Sequence, residues 1–592
     1  MVYETSNPLQ GDSSSRESSN TTEEKFPVSS IEGGAVDEKG FLLYSDPEAR
    51  PPVFKSTTHE VLTVIILLFA TVMNTASSGA MQIAVPTLGR VFDVQGANLS
   101  WTVSSFSIIS GSFILIFSGI ADKFGRRRVV FVSYAWFALW SLISAFTTNH
   151  IVFDVCRGMQ GLAAAACPSA GVGILGSTYL NGRRKNRIVA IFNAGAPIGV
   201  FLGTMTGGIT IEFIDWRAIF FFYAIVWTIL AALVFLVVPG DNINDNKKIT
   251  FEEARIRLGE LDLVGAALSI CGLITFVLAA GQAGSASKGW GTPYVIVILI
   301  VSIALLATFI WWESRTSNPV MPLRIWKAQG FAMIMLTVLF SLMAFIGTIA
   351  FFSGLYFQNV VGASPLLSAV YYIPQIFTSF ATVPIIAFTL HIVPNRLLAV
   401  ISMLCELASA LLWALMPLGT PYFAMAFPSL ILVIISADLL FNVATKHTLS
   451  TVTGKQQSTA AGVFYTIHHV AGSFGISIGS SIVAYILRKE IALKAMMMED
   501  AMNGMIEVSR EMLAKAYNGA FWFAVGCSAA GVVTASLANV GKIKQSLTDS
   551  EDETSVLEHA DNEITEESAL LIRNVGALDY KSTYDEKAVY SS

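Results

Sequence analysis

The chain alternates long apolar runs with short polar breaks. Fourteen runs are about long enough to cross a hydrocarbon core of roughly 30 Å, at 60–82, 99–121, 129–147, 151–178, 188–211, 217–238, 262–282, 292–312, 331–355, 366–390, 396–416, 421–445, 459–487 and 518–540. The pattern predicts membrane-spanning helices. Polar stretches rich in Ser, Thr and Glu flank the runs at 1–58 and 541–592, and both read as disordered tails.

The breaks differ in charge. Alternate loops collect most of the Lys and Arg, in "DKFGRRR" (122–128), "NGRRKNR" (181–187), "DNKKITFEEARIR" (245–257) and "ESRTSNPVMPLRIWK" (313–327), whereas "TTNH", "PLGTP" and "VVGASP" have none. The positive-inside rule puts the first set, and with it both tails, in the cytosol. An even number of spans is required for that. The loop at 488–517 breaks the pattern with balanced charges and a run of Met, read as an external amphipathic helix.

Composition agrees with a polytopic membrane protein. Hydrophobic residues make up 54% and charged residues 13%, against roughly 25% charged in soluble domains. The net charge of −5 offers nothing to a nucleic acid. Cys156, Cys167, Cys271, Cys405 and Cys527 lie unclustered in apolar runs and read as buried small hydrophobes, with no metal site. There is no Walker-type loop, no catalytic triad and no expected cofactor, so an enzyme is excluded.

The tight break "SGIADKFGRRRVV" (118–130) holds more than orientation charges. Asp122, Gly125, Arg126 and Arg127 resemble the signature of the major facilitator superfamily between its second and third spans, with Ser118 at a position usually Gly. The resemblance implies that this loop latches two halves together in one conformation and so gates access. "RGMQG" (157–161) resembles the family's second motif through Arg157, Gln160 and Gly161, and "GAPIGVFLGTMTGG" (195–208) its antiporter motif, with Thr204 replacing the usual Pro. In the latter, Gly195, Gly199, Gly203 and Gly207 form a stripe that lets a neighbouring helix approach.

Fourteen spans imply two six-helix halves, 59–239 and 331–540, with a cytosolic loop and two inserted helices at 240–330. "VPNRLLAV" (393–400) looks like a decayed copy of the opening motif in the second half. The whole of 60–540 resembles the fourteen-spanner drug:proton antiporter branch and its fungal aminotriazole-resistance-type members. Where that branch commonly carries an Asp in its first span, this chain has Ser77.

An ionisable side chain inside a membrane is a functional candidate by default. Glu406 is the first choice for the exchanged proton and Asp438 the second, with Arg157 as a coupling partner. Asn74, Gln82, Gln160, Asn193, Gln375, Asn442 and His468 are candidates to line the route, and of the adjacent pair His468–His469 only one is expected to face it. Asn98 in "NLS" is a glycosylation sequon placed too close to span two for good occupancy. The function implied is proton-coupled export of small organic or toxic solutes by a monomer in the plasma membrane. The alternatives are a uniporter or low-affinity carrier of small polar or ionic solutes, and a transporter-like sensor. A vacuolar address stays open through the pairs Leu42–Leu43 and Leu570–Leu571, each four residues after an acid, Glu38 and Glu566.

Overall fold

A computed structural model describes residues 48–538 apart from 95, 180–181, 240–261, 287, 317–318, 391, 453–456 and 498–508, together with the backbone of 35–36 and 42–43. A few side chains within helices also lie outside the description, among them Asp122 and Asn193. So do the remainder of the tails with their acid–dileucine patterns, and most of the Met-rich loop. Ala35–Val36 pairs antiparallel with Leu42–Leu43; the rest of the architecture is helical.

Among the described residues, fourteen long helical segments follow. The first six are α1 (Thr57–Val91), α2 (Trp101–Phe124), α3 (Arg126–Ala145), α4 (His150–Thr178), α5 (Arg183–Phe213) and α6 (Arg217–Val237). Then come α7 (Leu263–Ser285) and α8 (Pro293–Glu313). The last six are α9 (Phe331–Val361), α10 (Pro365–Tyr371 continuing as Ile373–Thr389), α11 (Asn395–Ala414), α12 (Ala426–Ser450), α13 (Gln457–Met497) and α14 (Arg510–Leu537). Among the described residues, thirteen stretches are long and apolar enough to cross a membrane, and none of them lies in α4. Helix starts carry the residues that satisfy orphaned amides: Asn149 accepts from Ile151 N at 2.8 Å, and Asp262 from Gly265 N at 2.9 Å.

The packing repeats itself. In the first half α1 packs on α5, α2 on α4, α3 on α6 and α3 on α4. The same pairs shifted by eight helices recur in the second half: α9 on α13, α10 on α12, α11 on α14 and α11 on α12. The halves meet where α2 lies on α13, α5 on α10, and α1 on the middle of α9. Helices α4 and α12, equivalent in the repeat, make their larger contacts within their own halves among the described residues. The inserted α7 packs on α2 and α13, and α8 packs chiefly on α7.

Three sequence expectations change. Residues 48–56 are packed, with Phe54 only 2% exposed and Arg184 donating to Glu48 O at 2.8 Å. Cys271 is exposed and Cys405 half-buried, because they lie on lipid-facing sides of α7 and α11. The first part of the 488–517 stretch is also not a separate helix: α13 continues through it to Met497.

The α5 stripe meets α1 in parallel register. A Cβ on Gly195 would meet Leu68 and Val72, one on Gly203 the Ala76 backbone, and one on Gly207 the Ala80 Cα. Gly203→Val should therefore lower the melting temperature of the purified protein by about 5 °C or more through overpacking. Gly526→Ala, at a position with open space, should leave it unchanged. Equal melting curves for the two variants would mean that α1 and α5 do not depend on backbone contact.

Candidate functional site

Both chain ends enter the bundle on one face, here the tail face. Gly125, at φ 97°, is the whole connection between α2 and α3 and adopts a conformation that other residues resist. It sends Arg126 to Gly173 O on α4 at 2.8 Å and Arg127 to Phe235 O at the end of α6 at 2.6 Å. The second half repeats the latter bond: Arg396, second residue of α11, donates to Ser536 O at the end of α14. The decayed motif thus keeps one arginine in the equivalent contact. Asp122 lies in the last turn of α2, with its side chain outside the description.

Arg157 is 1% exposed, and a buried guanidinium is costly unless its protons are taken up. Its Nη1 donates to Ser77 Oγ at 3.0 Å and to Gln160 Oε1 at 2.5 Å, while Gln160 Nε2 donates to Ser144 Oγ at 3.0 Å. The Phe106 ring lies 4.5 Å from the guanidinium carbon. Ser77 of α1 is thus one of the two residues that accept from Arg157. Asp154, one turn earlier on α4, has a buried Oδ1 without a partner. Sequence reasoning missed it, although "DVCRGMQG" puts it three residues before Arg157.

The two candidate acids of the second half point in opposite directions. Glu406, fully buried, accepts from Ser341 Oγ on α9 at 2.5 Å and from Ser436 Oγ on α12 at 3.0 Å. It lies behind α12, on the side where Ser402–Ser436 and Ser409–Ser429 hydroxyl pairs join α11 to α12. At about 100° per residue, Asp438 is about 200° around α12 from Ser436, on the side away from α11. Its Oδ2 accepts from Thr382 Oγ1 on α10 at 2.8 Å. Asn442 turns its amide back to Asp438 O at 2.8 Å.

The halves are cross-braced away from the tail face. Gln82 Nε2 donates to Ala350 O at 2.8 Å, and Gln358 Nε2 donates to Ile83 O at 2.9 Å, so each of α1 and α9 binds a backbone carbonyl of the other. Both α9 residues lie in π-helical stretches, Phe345–Ala350 and Phe357–Val361, a geometry that frees backbone groups and recurs at functional sites. Beside them Tyr372 and Ser353 share a 2.6 Å bond. Gln358 was missed because a lone Gln in "LYFQNVV" has no pattern to mark it.

Of the remaining candidates, Asn74 is buried on α1 with Oδ1 unpartnered, and Gln375 is half-buried on α10. His468 faces Phe441 with ring centroids 5.9 Å apart, while His469 packs against Gly111 of α2. Asn98 is exposed but its Oδ1 accepts from Ser285 Oγ at 2.5 Å, and Ser100 of the sequon is buried. Among the described residues, no three His, Cys, Asp or Glu gather as metal ligands.

The fold has solved counterparts. A bacterial homologue of the human lysosomal transporter Spinster, crystallised inward-facing and unoccupied, aligns with a TM-score of 0.56 over 82% of this chain and 98% of its own, at 13% identity. In sequence, the low affinity ammonium transporter of Saccharomyces cerevisiae is 28% identical over 75% of this chain and 85% of its own length. The aminotriazole resistance protein of the same yeast is 26% identical over 73% and 79%. Residues 67–476 match the family model of the Major Facilitator Superfamily. With the repeated six-helix packing, the signature turn at Gly125 and that match, the chain belongs to the major facilitator superfamily and is a membrane transporter, not an enzyme.

Proposed function

We propose that the protein exports small organic solutes in exchange for protons, from the plasma membrane, with both tails in the cytosol. The observation that carries this reading is Asp438: a half-buried acid on the side of α12 away from α11, held by the Thr382 hydroxyl of α10. An acid within a span can take up and release a proton as its surroundings change. Glu406, ranked first on sequence, is enclosed by two serine hydroxyls behind α12, and in this reading it braces α9, α11 and α12. The Gln82 and Gln358 bonds close the side away from the tails. They are uncharged amide–carbonyl bonds, each worth about 1 kcal/mol net, which a rocking of one half against the other can break and remake. The aminotriazole resistance protein among the relatives supports export.

A second reading has its own observation. Ser77 beside Arg157 leaves the first half without the acid common in the related branch, which favours a low-affinity carrier of small polar or ionic solutes. The low affinity ammonium transporter among the relatives is in keeping with it.

The two readings separate in vesicles whose cytosolic face points outward. Under proton exchange, acidifying the lumen drives solute uptake. Asp438→Asn should cut that uptake at least tenfold and remove its dependence on the gradient. Glu406→Gln should keep the dependence while melting at a lower temperature. Uptake by the Asp438→Asn protein that still follows the gradient would sink the assignment; uptake by wild type that ignores the gradient would favour the carrier.

Asp122 belongs to the latch on the tail face. Asp122→Asn should insert and express normally yet transport several-fold more slowly. A transport rate equal to wild type would reduce this loop to an orientation signal.

A further inference from the structure

We propose that the tail-face end of the inserted pair α7 and α8 is a binding site for a hard divalent cation, held between Asp262 and Glu313. The proposal takes from the reading above only that the tail face is cytosolic, where Mg²⁺ is the abundant ion of this class. The far end of α7 fixes the location. Gly281 meets the Trp101 ring where α2 begins, away from the tail face, so α7 starts and α8 ends on the tail side.

Asp262 caps the first turn of α7, and Glu313 is the last residue of α8. Their carboxylates converge on Gly265, one turn into α7. A Cβ there would strike Asp262 Oδ2 and lie 3.0 Å from Glu313 Oε1, so the missing side chain leaves a space that both oxygens border. Other bonds hold the two acids in place. Asp262 Oδ1 accepts from Gly265 N and from Trp312 Nε1, each at 2.9 Å, and the indole also reaches Oδ2 at 3.1 Å. Glu313 Oε2 accepts from Met321 N at 3.2 Å. Glu313 is only 4% exposed, and its Oε1, the oxygen bordering Gly265, is buried without a hydrogen bond. Among the described residues, no Lys or Arg lies within ion-pair distance of either acid. The neighbouring Arg315 lies over the Trp311 ring, 5.3 Å from its centroid.

Two carboxylates at one site repel each other, and burying one of them without a partner adds to the cost. A cation between them relieves both. Two negative charges and oxygen donors alone suit a hard divalent ion, whereas soft metals prefer thiolate or imidazole. Mg²⁺ keeps several of its waters and uses only one or two carboxylates. Half-buried Asp262 leaves a side of the site open to such waters. Bound there, the ion closes the first turn of α7 onto the last turn of α8. Through the Met321 amide on Glu313 it also steadies the segment that leads into α9.

The test uses Tb³⁺, a hard ion that emits when an indole beside it is excited, on the purified full-length protein. Wild type should give saturable emission through Trp312, and Mg²⁺ should displace it. Asp262→Asn and Glu313→Gln should each weaken Tb³⁺ binding about tenfold or more. Gly265→Ala keeps both acids but fills the space between them, and should weaken binding as much. Trp312→Phe should remove most of the emission. A second measurement needs no variant to fold: the melting temperature of wild type should rise when Mg²⁺ is added after chelation. Wild-type melting that ignores Mg²⁺ overturns the site, as does unchanged Tb³⁺ affinity in folded Glu313→Gln and Gly265→Ala proteins; the two acids then share a proton instead. If the ion binds with the stated dependence while the tails prove external, the site stands and the cytosolic orientation falls. If no ion binds while a proton gradient still drives solute uptake, the site falls and the export reading stands.

Discussion

Inside hydrocarbon, a leucine gains little by leaving lipid for another helix, so helices associate through close backbone approach and shared polar groups. The bundle relies on the first of these at equivalent places in its two halves. Along α5 the stripe of Gly195, Gly199, Gly203 and Gly207 lets α1 lie directly on the backbone. In the second half the equivalent pair, α9 and α13, meets at Gly347 and Gly475, where a side chain on either would strike the backbone of the other helix. Each pair joins the first and fifth helices of its half, and the remaining helices are arranged around it.

Shared polar groups do the rest, and each half encloses a buried ionisable side chain among them. Arg157 is held by Ser77 and Gln160 in the first half, Glu406 by Ser341 and Ser436 in the second. Hydroxyls supply the partners in place of an opposite charge. Such bonds commit the charged groups to the interior of their own half, so that the half can move as a unit. Asp438, on the side of α12 away from α11, is held by Thr382 of α10 in the same half.

Much of this architecture is legible in the chain because hydrophobic length and loop charge are strong, local signals. The Gly125 turn, the four-residue glycine spacing and the arginine at 396 are all local too, and each has a structural counterpart. The direction in which an intramembrane acid points is not local. Glu406 and Asp438 both read as lone acids in apolar runs, and only the serine pairs between α11 and α12 show that one lies behind α12 and the other in front. Asp154 was obscured by its place near the end of a span, and the link between Gln82 and Gln358 spans 276 positions of sequence with no pattern connecting them. The contact between Ser77 and Arg157 likewise joins two departures that look unrelated in the sequence, a missing acid and a buried base.

The inserted helices make the molecule's two flanks unequal. On one flank α7 fills the groove between α2 and α13: Phe276 stacks near Phe474 at 4.6 Å between centroids, Ser481 donates to Ala280 O at 2.7 Å, and Gly281 admits the Trp101 ring. Arg488 extends the seal by binding the carbonyls of Gly284 and Ala286 at the end of α7. On the other flank α5 and α10 touch where Gly208 meets Ala369, and no described helix covers that junction. Among the described residues, the two junctions between the halves therefore differ in what lipid touches: at one it meets the inserted α7, at the other α5 and α10 themselves.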